Sequence, residues 1–471
     1  MSITKKPNKK PNIVFILTDD QRFDTIGSLY PHSEVKTPNL DRLAARGTAF
    51  THAHIPCGTS GAVCMPSRAM IHSGRRLFSI FREGQDIPPE HITLGQTLGA
   101  AGYDSFGTGK WHNGPPAFTR SFKSGSSIFF GGMWDHWNVP LSDYDPLGNY
   151  DNKINFVANH SKSNKISRVN CDRFIPGKHS SELLSDTAID YINSHDGGSP
   201  FFLYTAYLAP HDPRTMPKEF LDMYDPEQIA LPVNYSSERE INIPFYTGGM
   251  RDESLAKYPR EEKEIRRHIA EYYAMITHLD REIGRLIDAV DASGKDTVIV
   301  FASDNGLACG QHGLLGKQSC YEHSSRIPLI FSGPGIPEGK IINRYAYLFD
   351  IYPTLCDLAG VEIPPTVEGK SAAPMFGDEA HINYDRLYFA MNDQIRAVKD
   401  NRYKLIEYSG ALRRSLLFDL ESDPFETNDL SGDEAYRGIL DKLRSDLFDL
   451  RDEWKDTSHR LGQKYWESYT G

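Results

Sequence analysis

The chain has 471 residues, enough for two or three structural units, and its composition of 39% hydrophobic, 11% aromatic and 24% charged residues excludes disordered and fibrous classes. The formal net charge of −11 argues against broad binding to nucleic acid or to an anionic membrane. Any site for an anion must therefore be confined to a local pocket.

The first ten residues carry lysines but lack the apolar stretch and cleavage site of a signal peptide. No apolar run has the length that would span a bilayer. As given, the chain is expected in the cytoplasm, or in the periplasm or outside the cell if an export signal has been removed. Six cysteines without a CxxC pair indicate neither a disulfide framework nor a thiolate zinc site.

Four apolar, strand-like runs each end in polar residues. The runs are 13–17, followed by Asp19 and Asp20; 103–106, followed by a glycine-rich stretch to Lys110 and His112; 201–206, followed by Pro210 and His211; and 298–302, followed by Asp304 and Asn305. In an open α/β sheet ligands bind outside the carboxyl ends of the strands. We therefore expect these polar residues to gather around one crevice.

Helical patterns separate the strand-like runs. Thr37, Pro38 and Gly47 bracket a short helix as N-cap, first-turn proline and C-terminal glycine. The stretch 180–194 is amphipathic, and so is the longer stretch 261–290, which Gly294 ends. Such alternation predicts an α/β fold with a large mixed, mostly parallel sheet sandwiched by helices.

From about residue 384 the pattern changes to short β-like pieces at 387–390, 395–399, 403–407 and 416–420, with a helix near 434–454. These pieces predict a small C-terminal antiparallel sheet with a terminal helix. We divide the chain into a catalytic domain, 11–380, and a C-terminal subdomain, 381–471.

The strongest local signal is Cys64-Met65-Pro66-Ser67-Arg68, which follows a glycine-containing loop and precedes a short helix ending at Gly74. On its own this segment also fits a buried cysteine beside a proline turn. It resembles the core signature of the type I sulfatases of the alkaline phosphatase superfamily. The resemblance implies that Cys64 is oxidised to 3-oxoalanine (formylglycine), and a helix N-terminus there would suit a bound oxyanion.

Further segments resemble this family in the family's order. The segments 102–105 and 109–112 resemble its second signature, and 417–420 with Asp423, Pro424 and Asn428 resembles its C-terminal region. Each segment alone fits a turn or a solvated loop, but the co-occurrence of all of them favours the family. Met65, the pair His72-Ser73 and Thr108 depart from the usual residues, which bears on maturation more than on the reaction.

The resemblance implies roles for particular residues. Asp19, Asp20, Asp304, Asn305 and residue 64 correspond to the metal ligands, and oxygen donors suit one Ca²⁺ or Mg²⁺ ion rather than zinc. The catalytic residues implied are Cys64, Arg68, Lys110, His112, His211 and Lys317. One hydroxyl of hydrated formylglycine would attack sulfur with Asp304 as proton acceptor, and the alcohol would take a proton from His211 or Lys317. His112 would then deprotonate the second hydroxyl to expel sulfate, while Arg68 and Lys110 hold the formylglycine oxygens.

The substrate is expected to be a sulfated oligosaccharide or polysaccharide, because the chain resembles carbohydrate sulfatases in size and texture. Trp134, His136 and Arg214 are candidate substrate-binding residues, although packed tryptophans are the commoner reason for such a loop. A formylglycine-generating enzyme is the expected maturation partner. The alternative is a phosphonate monoester or phosphodiester hydrolase of the same superfamily. A binding protein with an unoxidised Cys64 stays open, whereas Asn305 disfavours a two-zinc phosphatase, which would place a histidine there.

Overall fold

A computed structural model describes residues 10–159, 161–378, 380–410 and 413–469. Its β-strands, in chain order, are β1 Asn12–Asp19, β2 Gly47–His54, β3 Cys57–Gly58, β4 Asp104–Lys110, β5 Ser124–Phe129, β6 Pro140–Leu141, β7 Lys153–Phe156, β8 Ser167–Asn170, β9 Arg173–Phe174, β10 Phe201–Pro210, β11 Thr297–Ser303, β12 Arg326–Ser332, β13 Lys340–Tyr347, β14 Leu387–Met391, β15 Ile395–Lys399, β16 Tyr403–Tyr408 and β17 Arg414–Asp419. Its α-helices are α1 Pro38–Ala45, α2 Cys64–Ser73, α3 Leu94–Ala100, α4 Pro115–Ser121, α5 Ser180–Ser194, α6 Lys218–Leu221, α7 Pro244–Thr247, α8 Glu262–Ala292, α9 Glu322–Ser325, α10 Ile351–Ala359, α11 Ala373–Gly377, α12 Arg437–Glu453 and α13 Arg460–Ser468. Within the described ranges, no helix combines the length and apolar character that a membrane crossing requires.

Eight strands form the large sheet in the order β13-β2-β12-β11-β1-β10-β4-β5. All neighbouring strands are parallel except at β12, which is antiparallel to both β11 and β2. Successive side chains of β1 point to opposite faces: Ile13, Phe15 and Leu17 join one core, while Val14 and Ile16 join a second core with α1, α5 and α8. The predicted mixed, mostly parallel sheet covered by helices is confirmed.

The register of the central strands places their carboxyl ends side by side. Thr18 of β1 lies opposite Ser303 of β11, Asp19 lies opposite Pro210 of β10, and Ala206 of β10 lies opposite Gly109 of β4. The residues that follow these strands therefore share one edge of the sheet, as predicted for an open α/β sheet.

Two glycines act differently from the sequence prediction. Gly109 belongs to β4, which continues to Lys110. A larger residue would not fit there, because its Cβ would collide with the carbonyl oxygen of Ala206 on β10. Gly47 does not cap α1, which ends at Ala45, but opens β2, where a Cβ would collide with the carbonyl oxygen of Phe331. Both glycines allow neighbouring strands to approach closely. From the local sequence alone, such glycines are predicted to lie in a loop or at a helix cap.

A second sheet has the order β17-β16-β15-β14-β3. Its strands β14 to β17 are the four predicted antiparallel pieces. The fifth strand, β3, is parallel to β14 and comes from the segment just before Cys64, a pairing that the sequence prediction missed. The predicted terminal helix is α12, and α13 follows it unpredicted. The domain boundary at 380 stays a prediction.

A buried carboxylate ties this second sheet to the C-terminal helices. Asp456 accepts hydrogen bonds from Arg396 Nε at 2.6 Å, from the Tyr388 hydroxyl at 2.6 Å and from Trp466 Nε1 at 2.7 Å. Neither side chain of the Arg396–Asp456 pair is exposed. Breaking such a pair strands a charge in the protein interior.

We expect Asp456→Ala to lower the free energy of unfolding by about 3–5 kcal/mol, because the Arg396 guanidinium would stay buried without its carboxylate. Urea denaturation followed by circular dichroism measures the loss. The control is Asp222→Ala, which removes the exposed pair of Asp222 with Lys218 on α6 and should cost less than about 1 kcal/mol. Equal midpoints for the two variants would contradict this account.

Candidate active site

A cluster of charged side chains occupies the carboxyl edge of the large sheet. Its members are Asp19 and Asp20 at the end of β1, Cys64 and Arg68 in the first half of α2, Lys110 at the end of β4, His112 just beyond it, His211 after β10, Asp304 and Asn305 after β11, and Lys317 in the loop before α9. All of them are buried except His112, which is half-buried. The structure thus brings together every residue for which the sequence implied a catalytic or metal-binding role.

Two adjacent aspartates share this cluster because the chain turns between them. Asp20 adopts a left-handed φ of 68° and donates its backbone N–H to Asp304 Oδ1 at 3.2 Å. In a continuing strand, neighbouring side chains would face opposite sides of the sheet. The turn instead lets Asp19, Asp20 and His211 bring potential ligand atoms within 4.8 Å of one another, and Asp19, Cys64 and Asp304 do the same.

Basic side chains neutralise the buried carboxylates. Lys110 Nζ contacts Asp19 Oδ2, and Arg68 Nε donates to Asp304 Oδ2 at 2.8 Å. Arg68 Nη1 also donates to the carbonyl oxygen of Lys110 at 2.6 Å, so the Arg68 side chain is hydrogen-bonded to the backbone of the residue that carries the second cation. Burial alone would raise the pKa of Asp19, but the nearby positive charges, with Lys110 foremost, outweigh it and hold that pKa well below its usual range.

Asp20 has its own set of partners. Lys317 Nζ lies 2.6 and 2.8 Å from its two carboxylate oxygens, and Asn305 Nδ2 donates to Asp20 Oδ1 at 2.6 Å. His211 Nε2 lies 3.6 Å from Asp20 Oδ2. Asn305 Nδ2 also donates to the carbonyl oxygen of Gly306 at 2.9 Å, so both hydrogens of its amide nitrogen are used.

Two buried oxygens of this cluster have no hydrogen-bond partner within the described residues: Asp19 Oδ1 and Asn305 Oδ1. Unpaired buried acceptors are costly and rare in folded proteins. A cation that accepts carboxylate and amide oxygens would satisfy both, and such donors suit Ca²⁺ or Mg²⁺. The residues present therefore fit an oxygen-ligated divalent cation.

Cys64 is the first residue of α2. Its Sγ lies 3.4 Å from His112 Nδ1 and 3.6 Å from Lys110 Nζ. Asn113 Nδ2 donates to the carbonyl oxygens of Met65 at 2.8 Å and Gly84 at 2.6 Å, which ties this turn to the loop after β4. Residue 64 thus combines a helix N-terminus with a base and a cation, an arrangement suited to a nucleophile and an oxyanion.

The two histidines of the site differ in charge. Burial and the cations Lys110 and Arg68 lower the pKa of His112 well below its usual value, so its ring is neutral. A neutral imidazole with Nδ1 near residue 64 is suited to accept a proton from that side chain.

His211 has the opposite bias. Burial and Lys317 disfavour its protonation, but Asp20, Asp19 and Asp212 outweigh them and raise its pKa to about 9. Its Nδ1 lies 2.8 Å from the carbonyl oxygen of Asp212 and 2.9 Å from Asp212 Oδ1, and its Nε2 lies 3.6 Å from Asp20 Oδ2 in the cluster. The sequence prediction missed Asp212, although its position next to His211 was a signal that could have found it.

The three candidate substrate-binding residues do not all lie open to a ligand at the charged cluster. His136 is 1% exposed and both ring nitrogens are engaged: Nδ1 with Ser180 Oγ at 2.7 Å and Nε2 with the His211 carbonyl oxygen at 2.9 Å. The prediction that His136 contacts substrate is therefore corrected, because its ring supports the backbone of His211 instead.

The other two candidates are half-buried. The Trp134 ring packs against Phe156 and Phe174, and Arg214 Nη1 donates to the carbonyl oxygen of His268 at 3.0 Å. The loop that carries Trp134 does reach the cluster, since a Cβ on Gly132 would lie 2.8 Å from the His112 ring. Substrate binding by Trp134 and Arg214 stays a prediction.

Comparison with known proteins adds independent findings. The family model described as Sulfatase matches residues 11–361, and a model described as N-sulphoglucosamine sulphohydrolase, C-terminal, matches residues 310–453. A protein named sulfatase from Formosa agariphila is 28% identical over 98% of this chain and 91% of its own length.

Two solved structures share the fold. One, a protein in complex with its substrate D-glucosamine-2-N,6-O-disulfate, has a TM-score of 0.75 and 22% identity, over 95% of this chain and 99% of its own. The other, the phosphonate monoester hydrolase of Agrobacterium radiobacter, has a TM-score of 0.74 and 21% identity, over 94% and 96% of the two chains. Both likenesses show that the fold of this chain is shared with these two proteins.

Proposed function

Since the chain belongs to the sulfatase family, we propose that it removes sulfate from a sulfated saccharide, with residue 64 as the nucleophile. One observation carries this proposal. Cys64 Sγ lies at the N-terminus of α2, within reach of Lys110 and His112 and next to the carboxylates of Asp19 and Asp304. This arrangement supplies a nucleophile position, a proton acceptor and cations for an anionic ester at one point.

Asp19, Asp20, Asp304 and Asn305 would hold a divalent cation, because they offer oxygen atoms, two of which have no other partner within the described residues. Residue 64 would add an oxygen ligand once its thiol has been oxidised. When bound, a Ca²⁺ or Mg²⁺ ion would polarise a sulfate oxygen and stabilise charge in the transition state. Arg68, Lys110 and Lys317 already pair with carboxylates of the cluster, so the positive charge of a bound divalent cation would be available to the anionic ester.

Oxidised to formylglycine and hydrated, residue 64 would supply one hydroxyl to attack sulfur and a second to expel sulfate afterwards. The protein's own groups fit these demands. His112 Nδ1 is placed to take a proton from the side chain of residue 64, and Lys110 Nζ to hold an oxygen of that side chain. Arg68 keeps Asp304 in place, and that carboxylate is the second proton acceptor near residue 64.

The leaving alcohol needs a proton from the opposite side. His211, held by Asp212 through Nδ1, directs Nε2 to the cluster and can donate that proton. Lys317 Nζ lies on the same carboxylate, Asp20, and can contact a sulfate oxygen or act as the donor. The site is enclosed in buried residues, so the charges act in a medium of low polarity.

A phosphonate monoester or phosphodiester hydrolase remains the alternative, because a phosphonate monoester hydrolase has the same fold with a TM-score of 0.74. Sulfate and phosphonate esters of 4-nitrophenol, compared by kcat/KM at equal enzyme concentration, separate the two functions. We expect the sulfate ester to be the better substrate.

Chelation should remove activity, and Ca²⁺ or Mg²⁺ should restore it, because the proposed ligands are oxygen donors. Ca²⁺ should also raise the melting temperature of the chelated protein, since it binds only the folded state. In Asp304→Asn this rise should be reduced, whereas Asp222→Asn, a change at an exposed residue just after α6, should keep it. Stoichiometric zinc without an alkaline-earth ion in active protein would refute the assignment.

Lys110→Ala and His211→Ala should each lower turnover of a sulfate ester by roughly two to four orders of magnitude, the range for loss of a charge-stabilising or acid–base group. The control changes are Lys218→Ala on α6 and His195→Ala after α5, which should keep activity. Circular dichroism checks that the fold survives. Near-native turnover in both site variants would mean that their assigned roles are wrong.

Cys64→Ser should abolish repeated turnover in a host whose maturation enzyme oxidises only cysteine. Serine is close in size, so packing should be retained, but a serine sulfate lacks the second hydroxyl that expels sulfate. Mass spectrometry should find the aldehyde in the parent and, after incubation with substrate, slow sulfation of residue 64 in the variant. Parent-like turnover by Cys64→Ser, with unmodified cysteine in the parent, would disprove the formylglycine mechanism.

A further inference from the structure

Residues 250–252 bridge three loops that carry active-site residues. Met250 packs on Gly61 in the loop before Cys64, where a Cβ would lie 3.4 Å from Met250 Cε. Gln318, next to Lys317, donates through Nε2 to the Gly61 carbonyl oxygen at 2.8 Å and to Asp252 Oδ2 at 2.7 Å. This short segment therefore lies at the rim of the site.

Arg251, at the centre of that segment, also reaches the loop of His211. Its Nη1 contacts Asp212 Oδ2 and lies 3.2 Å from Asp252 Oδ1. The other oxygen of Asp212 holds His211 Nδ1 at 2.9 Å. One carboxylate thus separates the Arg251 guanidinium from the imidazole that faces the reacting ester.

The remaining edge of this guanidinium is available. Both ion pairs of Arg251 use Nη1, and within the described residues no partner is recorded for Nε or Nη2. The side chain is 45% exposed, in contrast to the buried cations of the cluster. Nε and Nη2 form the planar pair of donors that matches two oxygens of a carboxylate or a sulfate.

The two carboxylates fix this guanidinium in advance. Asp212 and Asp252 both pair with Nη1, and these contacts restrain the guanidinium before a ligand binds. Lys110, Lys317 and Arg68 Nε each pair with a buried carboxylate, and Arg68 Nη2, unpaired within the described residues, is buried 3.9 Å from Asp19 Oδ2. A second negative group on the substrate would therefore be bound by hydrogen-bond donors at the rim, such as Nε and Nη2 of Arg251.

We propose that Arg251 is a specificity-determining residue that binds a second anionic group, a carboxylate or another sulfate ester, on the saccharide whose sulfate is cleaved. This inference rests on the proposed function and deepens it. Arg251 acts through its Nε–Nη2 edge while Asp212 and Asp252 orient it, and the substrate class is a saccharide with at least two negative groups.

The test first identifies which sugar of a position-defined monosulfated panel the parent enzyme cleaves. That sugar is then compared with one derivative that has a second sulfate and one that has a carboxylate. The parent should prefer at least one derivative. In Arg251→Ala the ratio of kcat/KM for that derivative to kcat/KM for the monosulfated sugar should fall by about 10-fold or more, mainly through KM, the effect of losing a charged hydrogen-bond pair.

Arg251→Lys should recover only part of the ratio, because an ammonium group keeps the charge but not the planar pair of donors. The matched control is Arg402→Ala, which removes a 49% exposed guanidinium from Asp419 on the second sheet and should leave the ratio unchanged. Taking a ratio cancels any common loss caused by disturbing Asp212.

The outcomes are distinct. An unchanged ratio in Arg251→Ala, or a parent that prefers neither derivative, overturns the role of Arg251. A loss confined to the sulfated or to the carboxylated derivative identifies the group that Arg251 binds. Failure of the parent to cleave any sulfated sugar or 4-nitrophenyl sulfate would instead refute the proposed function.

Discussion

The balance of buried charge at the carboxyl edge of the large sheet is the constraint on which the rest of the structure depends. Asp19 is fully buried and is contacted by Lys110, with Arg68 Nη2 at 3.9 Å. Removing a single partner from such a cluster leaves an uncompensated charge in the interior. Because the partners come from β1, α2 and β4, these ion pairs form only when the three elements are correctly placed. Stability and chemistry therefore impose the same geometry.

The second sheet supports this geometry from behind. Its strand β3 leads into the loop before Cys64, and Cys57 Sγ contacts the carbonyl oxygen of Ser319 at 3.3 Å, two residues after Lys317. Glu322 binds Lys399 and Lys404 of the second sheet at 2.8 and 3.1 Å. The loops that carry Cys64 and Lys317 are thus anchored on the same sheet.

Local periodicity was enough to predict the central strands, the helices α5 and α8 and the antiparallel strands β14 to β17. Local periodicity also predicted that polar residues follow the strand ends. These residues lie close together because the ends of the parallel strands share one edge of the sheet. Contacts between distant segments were not predictable in this way. β3 has two residues and pairs with a strand more than 300 residues later, and Gly47 and Gly109 serve close strand packing. His136 looked like a surface ligand because its partners, Ser180 and the carbonyl oxygen of His211, are remote in sequence.

The proposed selection of substrate at the rim fits the difference in burial between the rim and the charged cluster. The cluster is buried and its ion pairs are closed, so a change inside it should cost stability as well as activity. At the rim the constraint is weaker. Arg251 is 45% exposed, and the carboxylates of Asp212 and Asp252 are 12% exposed. Water can compensate for a substitution there, so a change within residues 250–252 should disturb the fold less than a change at Asp19, Lys110 or Arg68.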